Sequence, residues 1–180
     1  PWNVFKAAYQ TYADEVKYVH MDEVQRHRYG LSVSDILEYT VERSQAERDA
    51  GSIKLPSFSR FLERFGPFRL ALKKAASFFE GGAVAPWFHG AINRADASAM
   101  LARAPEGCFL VRYSSKAGAF ALSHITLRNE QPSVENVLIS NIPQKDGFLW
   151  DPTHEGSQKL TALSSFLQDK VDKGWLRMPV

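Results

Sequence analysis

The chain has little of what most functional classes require. A single cysteine, Cys108, in 180 residues excludes an internal disulfide and any zinc site built from cysteines, and fits a reducing compartment. There is no Asn-x-Ser/Thr glycosylation acceptor. No apolar run approaches the ~20 residues of a membrane-spanning helix, and no signal peptide opens the chain, so no membrane is expected among its partners. Neither sign of charge dominates: 22 Lys and Arg against 20 Asp and Glu leave +2, and a cut at residue 82 leaves +1 on each side. Neither half is the strongly basic body that nucleic-acid binding needs. Glycine-rich nucleotide loops and metal-spaced His/Asp/Glu clusters are missing, and His89 and His154 stand alone. A cysteine phosphatase needs an arginine six residues after its cysteine, where this chain has Ser114. No enzymatic activity, cofactor or metal is therefore expected. With 44% hydrophobic and 23% charged residues, the composition is that of an ordinary globular protein. An opening Pro1 in place of Met reads as a piece of something longer.

What is present falls into two textures. Up to about Phe79 the apolar residues recur at helical spacing. Val4, Phe5, Ala8, Tyr9, Tyr12, Val16 and Val19 form one stripe, and Tyr29-Gly30 closes a short second helix. Ser32 or Ser34 caps a helix carrying Ile36, Leu37 and Val41. Pro56 and Ser57 open another, with Phe58, Phe61, Leu62 and Phe65 on one face. After Gly66-Pro67 a final helix is expected from Phe68 to Phe79, and Glu80-Gly-Gly-Ala83 reads as a linker. The expected domains are therefore 1–82, helical, and 83–180. In the second, Asn93 to Arg103 fits an Asn-capped helix with Ala95, Ala99 and Met100 on its apolar face. Gly107–Ser114, Ala119–Leu127 and Val134–Ile142 fit strands, and Leu160, Leu163, Phe166, Leu167 and Val171 mark a last helix. This order suggests an antiparallel sheet with a helix on each face, an α+β fold.

Arg112 sits inside the most apolar of these strands. Alternation puts it on one face with Leu110 and Ser114, while Phe109, Val111 and Tyr113 point the other way. A guanidinium in a covered strand is costly unless an anion meets it. Ser114 offers a hydroxyl, the small-residue turn Ser115–Gly118 can form a nest of amides, and Lys116 adds a cation. Together they suit a phosphate, through a bidentate fork with supporting donors.

Three blocks make the resemblance specific: Trp87-Phe-His-Gly-Ala-Ile-Asn-Arg94, Gly107-Cys-Phe-Leu-Val-Arg112-Tyr-Ser114 and Gly118-Ala-Phe-Ala-Leu-Ser123. From about residue 85 to 180 the chain resembles an SH2 domain. The resemblance implies a phosphotyrosine-peptide ligand, with Arg112 forking onto the phosphate and Arg94 contacting both phosphate and phenol ring. Ser114, Ser115 and Lys116 would supply further phosphate contacts. Two positions depart from the family: Asn136 stands where the third strand usually carries a histidine, and Leu138 where it carries a lysine. Val137 between them, with Leu138, suggests a preference for apolar peptide residues. The remaining specificity surface is expected from Trp150, Leu167, Val171 and Trp175. His124 reads as a core histidine with a satisfied partner.

The helical half resembles known neighbours of SH2 domains more loosely. Phe58-Ser-Arg-Phe-Leu-Glu-Arg-Phe65-Gly-Pro-Phe, running into the second domain, resembles the linker of STAT transcription factors, with the EF-hand-like unit of Cbl proteins as the alternative. Gly51-Ser-Ile53 has the look of an EF-hand loop. Its ligand positions would be Ala46, Arg48, Ala50 and Ser57, none a carboxylate, so calcium binding is not expected. The combined expectation is a degenerate EF-hand-like helical domain packed against an SH2 domain. It would recruit a larger cytoplasmic signalling protein, nuclear as well if STAT-like, to tyrosine-phosphorylated partners. The alternative is an SH2 fold that has lost phosphotyrosine binding and serves as a structural module. The tyrosines all lie at or before Tyr113, which leaves homodimerisation undecided.

Overall fold

A computed structural model describes residues 1–15, 32–143, 145–151 and 158–180. The expected positions Val16, Val19, Tyr29-Gly30 and His154 lie outside them. Two compact units are present: Pro1–Val84 with Pro143–Asp146, and Ala85–Ile142 with Gly147–Val180.

The first unit contains α1 (Trp2–Glu15), α2 (Val33–Thr40), α3 (Gln45–Asp49), α4 (Leu55–Phe65) and α5 (Phe68–Ala76). Ser32 caps α2 and Ser44 caps α3, each in a reciprocal capping box that satisfies two orphan amides. The aromatic side chains form the core. Tyr9 packs edge-on to Phe61 and Phe68, and Phe61 and Phe65 are fully buried. The face of α1 differs from the expected stripe, because Val4 and Ala8 are exposed while Trp2 and Tyr9 are buried. Rings that can reach Phe58 and Phe68 outweigh the smaller apolar residues in setting the face.

Two further expectations are corrected. Helix α5 stops at Ala76, and Phe79–Glu80 (β1) pairs with Ala83–Val84 (β2). Glu80-Gly-Gly-Ala83 is thus the turn of a short hairpin. Gly81 and Gly82 have φ of 57° and 87°, the paired left-handed geometry that matches strand twist and favours glycine. Residues 46–49, where the first loop ligands were placed, lie in helix α3. Glu47 organises this turn. Its carboxylate accepts hydrogen bonds from the Ser44 amide (2.8 Å), the Lys54 amide (2.7 Å) and the Ser57 hydroxyl (2.9 Å).

The Ser44 amide first, then the Lys54 amide and the two serine hydroxyls, hold the Glu47 carboxyl at about 2, well below its ordinary 4.5. A carboxylate depressed in the folded state contributes stability that is complete above 4.5 and lost as pH falls from there toward 2. Acid titration followed by far-ultraviolet circular dichroism should show helix loss beginning in that window. Glu47→Gln should lower stability at neutral pH and flatten this part of the profile. An unchanged profile in the variant would show that other carboxyls control the acid transition.

The second unit is built on a five-stranded antiparallel sheet in sequential order: β3 (Phe109–Tyr113), β4 (Ala119–Arg128), β5 (Gln131–Asn141), β6 (Phe148–Trp150) and β7 (Gln158–Leu160). Among the described residues two helices accompany it, α6 (Arg94–Leu101) and α7 (Leu163–Asp172). At the free edge of β3, Trp87–His89 and the tail at Met178–Val180 add backbone hydrogen bonds. Directly paired residues share a face. Tyr113, Phe120, Ile139 and Trp150 therefore form one row, while Arg112, Ala121 and Leu138 form the next row on the opposite face. The Arg112 face continues into the core made by Ala97, Leu101, Cys108, Leu110 and Ile125. Helix α6 buries Ala97 and Leu101, while Ala95, Ala99 and Met100 are exposed. In a helix this rich in alanine, periodicity alone does not select the buried face.

Candidate functional site

Arg112 lies one residue from the end of β3 and is only 7% exposed. Among the described residues no carboxylate pairs with it. Its Nη1 donates to the Tyr113 carbonyl (3.2 Å) and its Nη2 to Asn136 Oδ1 (3.1 Å), while Nε has no partner among the described residues. Burial, followed by the like charge of Arg94, pulls its pKa below the ordinary arginine value. Both influences disfavour the cation and make an incoming anion welcome.

Register explains the next shell. Leu110 pairs with Ser123, which pairs with Asn136, so β4 and β5 bring both polar side chains to the Arg112 face. Ser123 donates to Asn136 Oδ1 at 2.8 Å. With Oδ1 accepting from both Ser123 and Arg112, Nδ2 remains as a buried donor without a partner among the described residues. Two unpaired donors, Arg112 Nε and Asn136 Nδ2, thus belong to side chains that touch. Ser123 was missed in the sequence reading, although the alternation of β4 opposite Arg112 would have found it.

Arg94 opens α6 behind the Asn93 cap, whose Oδ1 accepts from the Asp96 amide at 2.9 Å. Its exposed guanidinium has no hydrogen bond or ion pair among the described residues. On the other side, Ser114 through Gly118 form the tight β3–β4 turn. The Ser114 hydroxyl oxygen accepts from the Lys116 amide at 3.1 Å, leaving its proton free to donate. Ser115 and Lys116 are exposed.

The expected specificity residues are divided between faces. Leu138 belongs to the Arg112 row, whereas Val137 shares the opposite face with Trp150. On that face Trp150 meets Phe166 (4.7 Å) and Trp175 (5.7 Å), and Lys170 lies over both Phe166 and Trp175. Trp175 is 40% exposed and Val171 half-buried. Leu167, by contrast, is 2% exposed. It is a core residue that supports this surface from within, as the inward face of an amphipathic helix must. His124 also differs from expectation. Its ring packs on Trp175 at 4.8 Å, but Nε2 has no hydrogen-bond partner among the described residues. Burial lowers its pKa and keeps it neutral.

A buried arginine with no carboxylate partner among the described residues, bonded to its own strand and to β5 across β4, fits the expected family. The SH2 domain family matches residues 87–162. This chain carries an SH2 domain. Its residues are similar to the SH2 domain of a CRK/CRKL homolog from Monosiga brevicollis, known from a solution NMR structure. Identity is 29%, the match covers 54% of this chain and 88% of that one, and the TM-score is 0.43. SH2 domains are in general phosphotyrosine-binding modules of signalling. Among the described residues no helix is long and apolar enough to cross a membrane.

Proposed function

We propose that this SH2 domain is a working phosphotyrosine-peptide receptor within a larger signalling protein. One observation carries the reading: Arg112 is buried, charged and unpaired with any carboxylate among the described residues. A structural arginine at this depth would be expected to have an acidic partner, because an uncompensated buried charge is costly. Arg112 forks onto the phosphate, Asn136 Nδ2 and the Ser114 hydroxyl donate to it, and Ser115 and Lys116 close over it from the turn. Arg94 contacts the phosphate edge and stacks on the phenol ring. Phosphotyrosine is selected by reach, since its long stem brings the phosphate to a recessed fork that phosphoserine cannot enter.

Beyond the phosphotyrosine, Val137, Trp150, Val171 and Trp175 supply an apolar surface, with Leu138 beside the phosphate. This favours peptides with hydrophobic residues over acidic ones at that surface. The partner is a tyrosine-phosphorylated protein of the cytoplasm, or of the nucleus if the helical unit belongs to a STAT-like molecule. The aromatic helices before the SH2 domain support that comparison, and the hairpin at Phe79–Val84 joins the two units.

Thermal unfolding with and without phenyl phosphate is the direct test. A ligand at 100 times its dissociation constant stabilises the folded state by about 2.7 kcal/mol. The melting temperature should rise with ligand concentration for the wild type and remain fixed for Arg112→Ala. Absence of any phosphate-dependent shift would leave a structural SH2 module.

A further inference from the structure

Ser123 is a polar residue in an apolar row. On the Arg112 side of β4 it lies between Ala121 and Ile125, with Leu110 beside it on β3, and all four are 5% exposed or less. A hydroxyl at this depth carries a desolvation cost that alanine in the same place would not. What it does there is donate to Asn136 Oδ1 at 2.8 Å.

The two ends of an amide are opposite in character. The oxygen accepts, the nitrogen donates, and half a turn about the last side-chain bond exchanges them. Unlike a carboxyl or an imidazole, the group does not titrate, so its polarity toward a ligand is set by orientation alone. Two donors fix that orientation in Asn136, because Ser123 Oγ (2.8 Å) and Arg112 Nη2 (3.1 Å) converge on Oδ1. Nδ2 is left as the free end beside Arg112 Nε, and both are buried donors without a partner among the described residues. In the reverse orientation both donors would face the amide nitrogen, and Oδ1 would turn its lone pairs toward an incoming anion. Arg112 is itself drawn to that anion, so the Ser123 bond is the one that keeps its strength once a ligand arrives. We infer that Ser123 is a positioning residue of the phosphotyrosine pocket: it locks the Asn136 amide with its donor end toward the phosphate and makes this side of the pocket donor-only, suited to a fully ionised oxyanion. It rests on the receptor reading above and adds to it a determinant on β4 that acts through Asn136 without touching the ligand.

The test uses the full chain, fluorescence polarisation and one tyrosine peptide with alanine at the flanking positions, phosphorylated and unphosphorylated. Ser123→Ala should weaken binding of the phosphorylated peptide about three- to tenfold, the range of one neutral hydrogen bond. Asn136→Ala should weaken it about tenfold or more, as expected when a hydrogen bond to a charged group is lost. In the double variant the serine change should add less than about twofold, because a residue that acts through Asn136 has nothing left to position. A merely structural serine would instead cost the same in both backgrounds, and that result overturns the inference. Asn136→Asp supplies a second measurement that does not depend on the folding of the serine variants. It keeps the shape of the side chain but offers only acceptors, and its carboxylate pairs with Arg112. It should therefore bind the phosphorylated peptide more weakly than Asn136→Ala and melt at a higher temperature than wild type when unliganded. Binding by Asn136→Asp equal to wild type would show that the polarity of this side chain does not matter, and would also overturn the inference. If the wild type binds the phosphorylated peptide no better than the unphosphorylated one, the receptor reading falls and the role of Ser123 falls with it. If phosphate-dependent binding stands and the cycle shows no coupling, only the role of Ser123 falls.

Discussion

Replacing Arg112 with alanine should remove phosphate-dependent peptide binding while leaving the domain folded. The loss expected from taking away one partner of a buried charge pair is about 2–5 kcal/mol, or roughly 30- to 5,000-fold in affinity. The same geometry makes a second, less obvious statement about stability. In the absence of ligand, Arg112 holds a desolvated charge whose only hydrogen bonds among the described residues go to the Tyr113 carbonyl and the Asn136 amide oxygen. Arg112→Met keeps most of the aliphatic volume and removes that charge, so the unliganded protein should gain on the order of 1 kcal/mol. For a domain of this size, such a gain corresponds to a rise of about 4–8 °C in melting temperature. Saturating phosphotyrosine peptide should reverse the ranking, because only the wild type is stabilised by binding. Peptide titration and thermal unfolding of both variants check the two statements independently. Wild-type affinity in Arg112→Ala, or a large destabilisation in Arg112→Met, would make Arg112 a structural residue and end the receptor reading.

The site was legible because its parts are dictated by backbone alternation. An arginine within an apolar strand is visible from β3 alone, and the small-residue turn after it is fixed by Ser115–Gly118. What could not be read along the chain is what register brings together. Whether Val137 or Leu138 shares the Arg112 face depends on a single residue of offset between β4 and β5, and a one-residue slip exchanges them. The short strands β6 and β7, three residues each, carry too few alternations to be seen. In the helical unit, aromatic residues dominate the packing so strongly that smaller apolar residues such as Val4 misled the choice of face. The Gly81-Gly82 pair shows a related limit. Composition marks it as flexible, yet only the pairing of Phe79 with Val84 reveals a turn. Glu47 had no signal of its own, since its partners at Ser44, Lys54 and Ser57 come together only when the turn between α3 and α4 closes.

Phe120→Ala should give the converse of the arginine result, a loss of stability with little loss of intrinsic affinity. Phe120 is fully buried in the row that faces away from Arg112. Its ring meets Tyr113 and Phe148 at 5.7 Å and Phe88 at 6.5 Å, and it therefore joins β3, β4, β6 and the segment before α6. Truncation leaves a cavity among residues held in place by backbone pairing, which limits collapse. The expected cost is about 3–5 kcal/mol, a large share of the roughly 5–15 kcal/mol that keeps a domain folded. Phe120→Leu fills part of the space and should cost less. The phosphate side of the sheet is built from the alternate residues Leu110, Arg112, Ala121, Ser123 and Asn136, which keep their hydrogen bonds if the backbone holds. The folded fraction should then bind phosphotyrosine peptide within about threefold of wild type, a weak coupling, because Phe120 meets the Tyr113 ring whereas Arg112 uses only the Tyr113 backbone carbonyl. Denaturant unfolding gives the stability term, and calorimetric titration below the melting temperature gives the affinity of the folded protein. A tenfold or larger change in that affinity would show that the two faces act as one cooperative unit, with the aromatic row setting the geometry of the arginine fork as well as the stability of the sheet.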